Sequence, residues 1–285
     1  MIDIKKELIK TVRNSIRLRI ADSAEQTVGG TRFGGAPDVP AGFAWAYYES
    51  EGPDHDVKPR PLSFIAQFNL EEISKYDADN LLPKTGVLSF FYELDSQKWG
   101  YDPDDEGCAR VYWFEDKNAL HRAEFPNDLA EYYRLPALKI DVKSEKSYQS
   151  FQDFLLQREK LIENWDEFDE ALGSLDVNTE EEENTSKLLG WADPIQNNMT
   201  MQCELVSRGY YLGNPEGWSE VTPLDRQEAE QWSAEDWLPL FQLDTVKNGD
   251  FELMFGDCGR IYFYIRRDDL AKRDFSKVWL ILQCG

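Results

Sequence analysis

Apolar side chains recur along this chain in two rhythms. In one, short stretches alternate at every second position or run through β-branched and aromatic residues: VLSFFYEL, ARVYWFED, LKIDV, GRIYFYI and VWLILQC, each bounded by Gly, Pro, Asn or Asp. That pattern predicts strands resting on a core. In GRIYFYI the alternation puts Ile261, Phe263 and Ile265 on one face and Arg260, Tyr262 and Tyr264 on the other. Pro83 and Gly86 punctuate the entry to VLSFFYEL.

The other rhythm has spacings of three and four. Tyr148, Phe151, Phe154, Leu155, Leu161, Ile162, Trp165, Phe168 and Leu172 follow it, which predicts one or two amphipathic helices within 144–175. TPLDRQEAEQWSAEDW, residues 222–237, favours a helix through its Glu, Gln and Ala content. At the start, Ile4, Leu8, Ile9, Val12 and Ile16 have helical spacing and predict an N-terminal helix within 1–30. DVNTEEEENTSK, residues 176–187, is too acidic for a core and reads as a linker. The expected fold class is mainly β with peripheral helices (α+β).

Several blocks occur twice, in the same order. GCARVYWFEDKNAL (107–120) aligns without a gap on DCGRIYFYIRRDDL (257–270), placing Cys108 on Cys258, Arg110 on Arg260 and Tyr112 on Tyr262, with Asp257 just before the second cysteine. LSFIAQFNL and WLPLFQLDT put Gln67 on Gln242. TRFGGAPDVP and SKLLGWADPI put Gly35 on Gly190 and, with one inserted residue, Pro37 on Pro194. These matches predict an internal duplication: repeat units at 31–122 and 186–285, joined by a helical connector and acidic linker at 123–185. A unit of about ninety residues is longer than the repeat of a solenoid. Two copies therefore predict a pseudo-two-fold arrangement in which each half completes the other's sheet.

The repeated polar residues read as architecture. A glutamine inside an apolar run is costly unless satisfied, and Gln67 and Gln242 are each suited to tie down the backbone of a neighbouring loop. Arg110 and Arg260 are expected as structural anchors. Asp102, Asp104, Glu106 and Gly107 begin a calcium-loop pattern that fails where Trp113 stands in place of the bidentate Glu. GGTRFGG matches neither a phosphate loop nor a dinucleotide fingerprint. Asp257 beside Cys258 could act in acid-base chemistry, and His55 and His121 are the available imidazoles, but no spacing joins them into a catalytic set. No catalytic residue, metal or cofactor is expected.

Charge narrows the choice of partner. Of 285 residues, 31 are basic and 54 acidic, a formal charge of -23 that repels nucleic acid and anionic membranes. No uninterrupted apolar run suits a signal peptide or a membrane span, and the four cysteines contain no CxxC pair. A protein of the cytoplasm with reduced thiols is expected.

TRFGGAPDVP, LSFIAQFNL, GVLSFFY, LPLFQLD, GDCGRIYFYI and VWLILQC, taken in order from Thr31 to Cys284, resemble the YwqG-like proteins, a bacterial family of unknown function. The resemblance implies a mostly β, duplicated architecture with strands exchanged between halves. It also implies kinship with the eukaryotic programmed cell death protein two family, which is similar to a set of dedicated chaperones for a ribosomal protein. No catalytic residues come with it. The resemblance and the acidity together point to a protein-binding module, chaperone-like or the immunity-type partner of a basic toxin. AGFAWAYYES supplies Trp45, Tyr47 and Tyr48 as contact candidates, if they are not simply core. The alternative is an enzyme of unknown reaction, with carboxylates and a histidine converging in a pocket between the halves. A third reading is a structural subunit of a larger assembly.

Overall fold

The alternating segments pair into one antiparallel sheet of ten strands. In chain order these are β1 (Arg13–Ala21), β2 (Arg32–Phe33), β3 (Ser63–Asn69), β4 (Val87–Tyr92), β5 (Ala109–Phe114), β6 (Leu138–Ser147), β7 (Lys187–Leu189), β8 (Trp237–Leu243), β9 (Arg260–Arg266) and β10 (Trp279–Gln283). The description comes from a computed structural model and covers residues 3–21, 27–52, 55–158, 165–175 and 184–285.

Across the sheet the order is β10-β9-β8-β7-β1-β6-β2-β3-β4-β5. The long pair β1 and β6 forms the centre, in register from Arg13 opposite Ser147 to Ala21 opposite Lys139. An arm of four strands extends from each side. β1 carries the arm that begins with β7, through Ser15 opposite Leu189, and β6 carries the arm that begins with β2, through Leu138 opposite Phe33. Each arm has one register shift in its second strand, between Phe64 and Ala66 and between Pro239 and Phe241. Such bulges sharpen the local bend and twist.

The arms fold toward each other, and their inner faces meet as aromatics. The Phe90 ring lies 4.8 Å from Phe241 and 5.1 Å from Phe263, and Phe68 lies 5.4 Å from Phe241. Ile261, Phe263 and Ile265 belong to this core, while Tyr262 and Tyr264 face a second apolar cluster on the other side of the sheet. The segment after β4 reaches across to the edge of the opposite arm, where Trp99 O accepts from Leu282 N at 3.0 Å and Gly100 O accepts from the Trp279 indole at 2.9 Å. That coverage blunts an edge which would otherwise offer unpaired backbone groups.

The N-terminal helix is shorter than its spacing predicts. α1 (Ile4–Lys10) is capped by the Asp3 side chain, and β1 begins at Arg13. Beyond Val12 the period changes: Ile16, Leu18 and Ile20 alternate with Arg17 and Arg19, and Ile16 and Leu18 are buried between two neighbouring strands. Pairing on both sides overrides the helical spacing that Ile16 shares with the preceding turn.

α2 (Phe151–Arg158) and α3 (Trp165–Gly173) lie within 144–175, where the spacing predicts one or two helices, though 123–185 also holds β6; Phe154 and Phe168 join Leu8 of α1 in a small separate core. Leu161, Ile162 and acidic residues 176–183 lie outside the described residues. α4 (Thr200–Ser207) and α5 (Pro223–Asp236) pack on the outer face of the β8–β10 arm. α5 coincides with the helix predicted from 222–237; the Thr222 hydroxyl caps it by accepting from Asp225 N at 3.1 Å.

Gly190 marks how tightly the centre is packed. Its φ is +80°, and an added Cβ would lie 2.6 Å from Ser15 Cβ and 2.8 Å from Ser147 Cβ, one residue from each central strand. Gly190→Ala is expected to lower stability by more than about 1 kcal/mol, from left-handed strain combined with overlap against packed neighbours. A thermal melt beside the wild type measures it.

Candidate functional site

Behind each arm, a glutamine, an aspartate and a cation form a knot, buried in the first and with a partly exposed aspartate in the second. In the first, Gln67 of β3 lies opposite Arg32 of β2. Gln67 Oε1 accepts from Asp38 N at 3.0 Å, and its amide donates to Gly30 O and to Asp38 Oδ2, both at 2.8 Å. Asp38 also accepts from Arg32 at 2.7 Å, Gly29 N at 2.8 Å and Arg122 at 2.6 Å. The left-handed Gly34 and Gly35, at φ +57° and +70°, turn the chain back so that Asp38 arrives beneath the glutamine.

The second knot repeats these bonds with other side chains. Gln242 of β8 lies opposite Lys187 of β7. Gln242 Oε1 accepts from Asp193 N at 2.9 Å, and its amide donates to Thr185 O at 2.7 Å and Asp193 Oδ2 at 2.8 Å. Lys187 Nζ pairs with Asp193 at 2.6 Å. Left-handed Leu189 and Gly190 make the turn, at φ +59° and +80°. Arg260 and the Tyr262 hydroxyl hold the Asp193 carbonyl at 3.0 and 2.8 Å, and Arg260 also pairs with Asp244 at 3.0 Å.

These knots position a loop. Burial alone would raise the Asp38 carboxyl, but the guanidiniums of Arg32 and Arg122 outweigh it and hold the group below its ordinary value. Asp193 behaves likewise, with Lys187 as the opposing charge. A carboxylate so committed to cations and backbone is poorly placed to act as a general base near neutral pH.

The outer faces of the two arms are covered unequally. On the β8–β10 arm, Trp237, Tyr262, Tyr264 and Ile281 are buried beneath Met199, Cys203 and Val206 of the α4 region. On the β3–β5 arm the cover is the loop 41–47. Phe43 stands edge-on to Tyr112 at 5.1 Å and to Phe114 at 5.9 Å, while Trp45 meets Phe91 edge-on at 5.6 Å. Tyr112 and Phe114 stack at 5.9 Å, and Phe43, Trp45, Tyr112, Phe114 and Phe125 all remain half-buried. Trp45 is pinned by its indole N–H on Leu62 O at 2.8 Å. Tyr47 is 43% exposed and donates to Asp128 at 3.0 Å, and Tyr48 donates to Asp104 O at 2.7 Å. Acidic Glu115 and Glu124 flank this aromatic surface in sequence and are exposed.

A family model described as a domain of unknown function (DUF1963) matches residues 31–284. The chain belongs to that family. No curated protein matches it.

The DUF1963 domain separates several residues that its sequence aligns. β5 is the outermost strand of one arm, whereas β9 lies one strand in from the edge of the other, so Cys108, Arg110 and Tyr112 do not occupy the places of Cys258, Arg260 and Tyr262. Cys108 is buried before β5 and its carbonyl accepts from Glu93 N at 2.8 Å; Cys258 is exposed, at φ +50°, in the turn that leads into β9. Asp257 lies in the same turn, its carbonyl accepting from Gly285 N at 2.9 Å. Arg110 contacts its own strand's Ala109 O at 3.5 Å, unlike the doubly held Arg260. Pro37 and Pro194 also part: without an insertion the bonds match Asp38 with Asp193, leaving Pro37 before the one and Pro194 after the other.

In the DUF1963 domain both histidines are exposed, His55 with its Nδ1 2.6 Å from Glu51. Burial pushes the Cys108 and Cys203 thiols up, away from the nucleophilic thiolate. Among the described residues no group of three or more His, Cys, Asp or Glu could hold a metal ion, and no helix is long and apolar enough to cross a membrane. Asp102 serves as a cap, accepting from Asp104 N at 2.9 Å. Sequence reasoning missed Asp38, Asp193, Arg32, Lys187 and Gln283. Gln283 carried the same signal as Gln67, an amide closing an apolar strand; it is fully buried and accepts from Ile195 N at 2.9 Å.

Proposed function

We propose that this YwqG-like chain is a non-enzymatic protein-binding module of the cytoplasm, chaperone-like or immunity-type, that receives an extended basic segment of another protein on the outer face of the β3–β5 arm. One observation carries the reading: Phe43, Trp45, Tyr112 and Phe114 remain half-buried there, while the corresponding face of the other arm is roofed by helices. Aromatic side chains with polar rims are the usual anchors of protein interfaces. The net charge of -23 favours a cationic partner over nucleic acid. We further infer that the two arms descend from one duplicated unit. The paired knots, the paired bulges and the mirrored strand order support that reading, with β1 and β6 as the strands exchanged.

A photo-crosslinking residue at Tyr47 tests the docking face in cells, with one at Lys6 of α1 as the control. The expected result is one dominant basic adduct from Tyr47, weakened at least about tenfold by Phe114→Asp and absent from Lys6. Equal labelling from both positions, or an adduct indifferent to Phe114→Asp, rejects the face.

A further inference from the structure

Between the edge of one arm and the end of the other lies a cleft of about 660 Å³, within the usual range for small-ligand sites. Four cations line it: Arg110 on β5, Arg208 at the end of α4, Arg266 at the end of β9 and Lys277 in the turn before β10. Two carboxylates, Glu106 and Asp269, line it as well. That balance is the reverse of the whole chain, where 54 acidic side chains face 31 basic ones.

The four cations are not equally engaged. Arg208 is neutralised by Glu204, Asp225 and Glu228 at 2.7, 2.6 and 2.7 Å, and Arg266 by Glu204 at 2.6 Å together with Asp236. Arg110 and Lys277 make no ion pair among the described residues, and Arg110's guanidinium has only the Ala109 carbonyl at 3.5 Å. The Phe275–Lys277 turn packs against β5, so that Arg110 and Lys277 line the same cleft. Val278 and Trp279 supply an apolar wall. Arg110 thus has no counter-charge among the described residues, whereas Arg260 pairs with Asp244.

We propose that this cleft binds a small ligand with an anionic head, a phosphate or a carboxylate, held by Arg110 and Lys277, and an apolar body laid against Val278 and Trp279. Arginine presents a planar fork to either oxyanion and lysine adds a point charge, the pairing from which charge-assisted hydrogen bonds are built. The proposal does not rest on protein docking at the aromatic face, although Arg110 shares β5 and its outer face with Tyr112 and Phe114.

Calorimetric titration at low ionic strength tests it, with pyrophosphate as the phosphate probe and citrate as the carboxylate probe. One of the two is expected to bind with Kd below about 1 mM and to alter tryptophan emission, and Arg110→Gln and Lys277→Gln are each expected to weaken it at least about tenfold. Which probe binds identifies the head group. Lys84→Gln, outside the cleft, should leave the affinity unchanged. Arg110→Gln removes no ion pair, so its melting temperature should match the wild type and separate lost binding from lost folding. Failure of both probes to saturate by about 10 mM, wild-type affinity in Arg110→Gln, or an equal loss in Lys84→Gln each overturns the proposal.

Discussion

Asp38→Ala is expected to destabilise the protein by about 3–5 kcal/mol, because it leaves the Arg32 guanidinium buried without its counter-charge. Asp38 is fully buried and accepts from two arginines, a glutamine amide and a backbone N–H, so four donors lose their acceptor together. Asp193→Ala should cost less: its side chain is 40% exposed, and water can replace part of what Lys187 loses. Removing the fully buried pair of the first knot, with Arg32→Met and Asp38→Leu, should recover part of the loss, since a buried pair is costly chiefly when broken and the partly exposed Arg122 keeps access to water. Urea denaturation of the set measures all three. The effect has a pH signature. The Asp38 carboxyl lies below its ordinary 3.8 when folded, so its contribution is complete above that value and is lost as the pH falls through the folded value. The gap between wild type and Asp38→Ala should hold steady near neutrality and narrow below about pH 4.

Phe241→Ala is expected to cost about 3–5 kcal/mol, with the urea m-value unchanged. Phe241 is 1% exposed and contacts Phe68 and Phe90 from the opposite arm as well as Phe263 beside it, so a cavity there opens between the arms and cannot be filled by a shift within either. Tyr47→Ala, at the surface, should stay within about 0.5 kcal/mol. Similar losses from the two substitutions would mean that the arms are not joined through this contact.

Strands were legible because their information is local. A period of two with β-branched and aromatic residues marks β4, β5, β9 and β10 without reference to anything distant. The same locality misled at β1, where the apolar residues through Ile16 suit a helix and only the partners β6 and β7, far along the chain, decide for a strand. The glutamines were legible as tethers because an amide among apolar neighbours needs a partner. What they tether was less so. Asp38 follows Gly35, and Asp193 follows Gly190, at the same distance, but aspartate after a glycine turn is ordinary loop composition. The half-buried aromatic face was half legible: Trp45 and Tyr47 stand out in the text, but Tyr112 and Phe114, which meet Phe43 of the same segment, come from β5 and join it only through the sheet. Arg110 and Lys277 carried no sequence sign of their lack of counter-charges, since that depends on which carboxylates the fold brings near.

The placement of β1 has a consequence for biosynthesis. It precedes the β2–β5 arm in the chain, yet its neighbours on either side, Leu138–Ser147 and Lys187–Leu189, are translated only after that whole arm. A nascent chain therefore emerges with its future midline unsatisfied, and the last arm cannot dock until that ribbon has been paired. Contacts of such long sequence separation fold slowly, so the middle of the sheet is expected to close late, after both partners of β1 have been made.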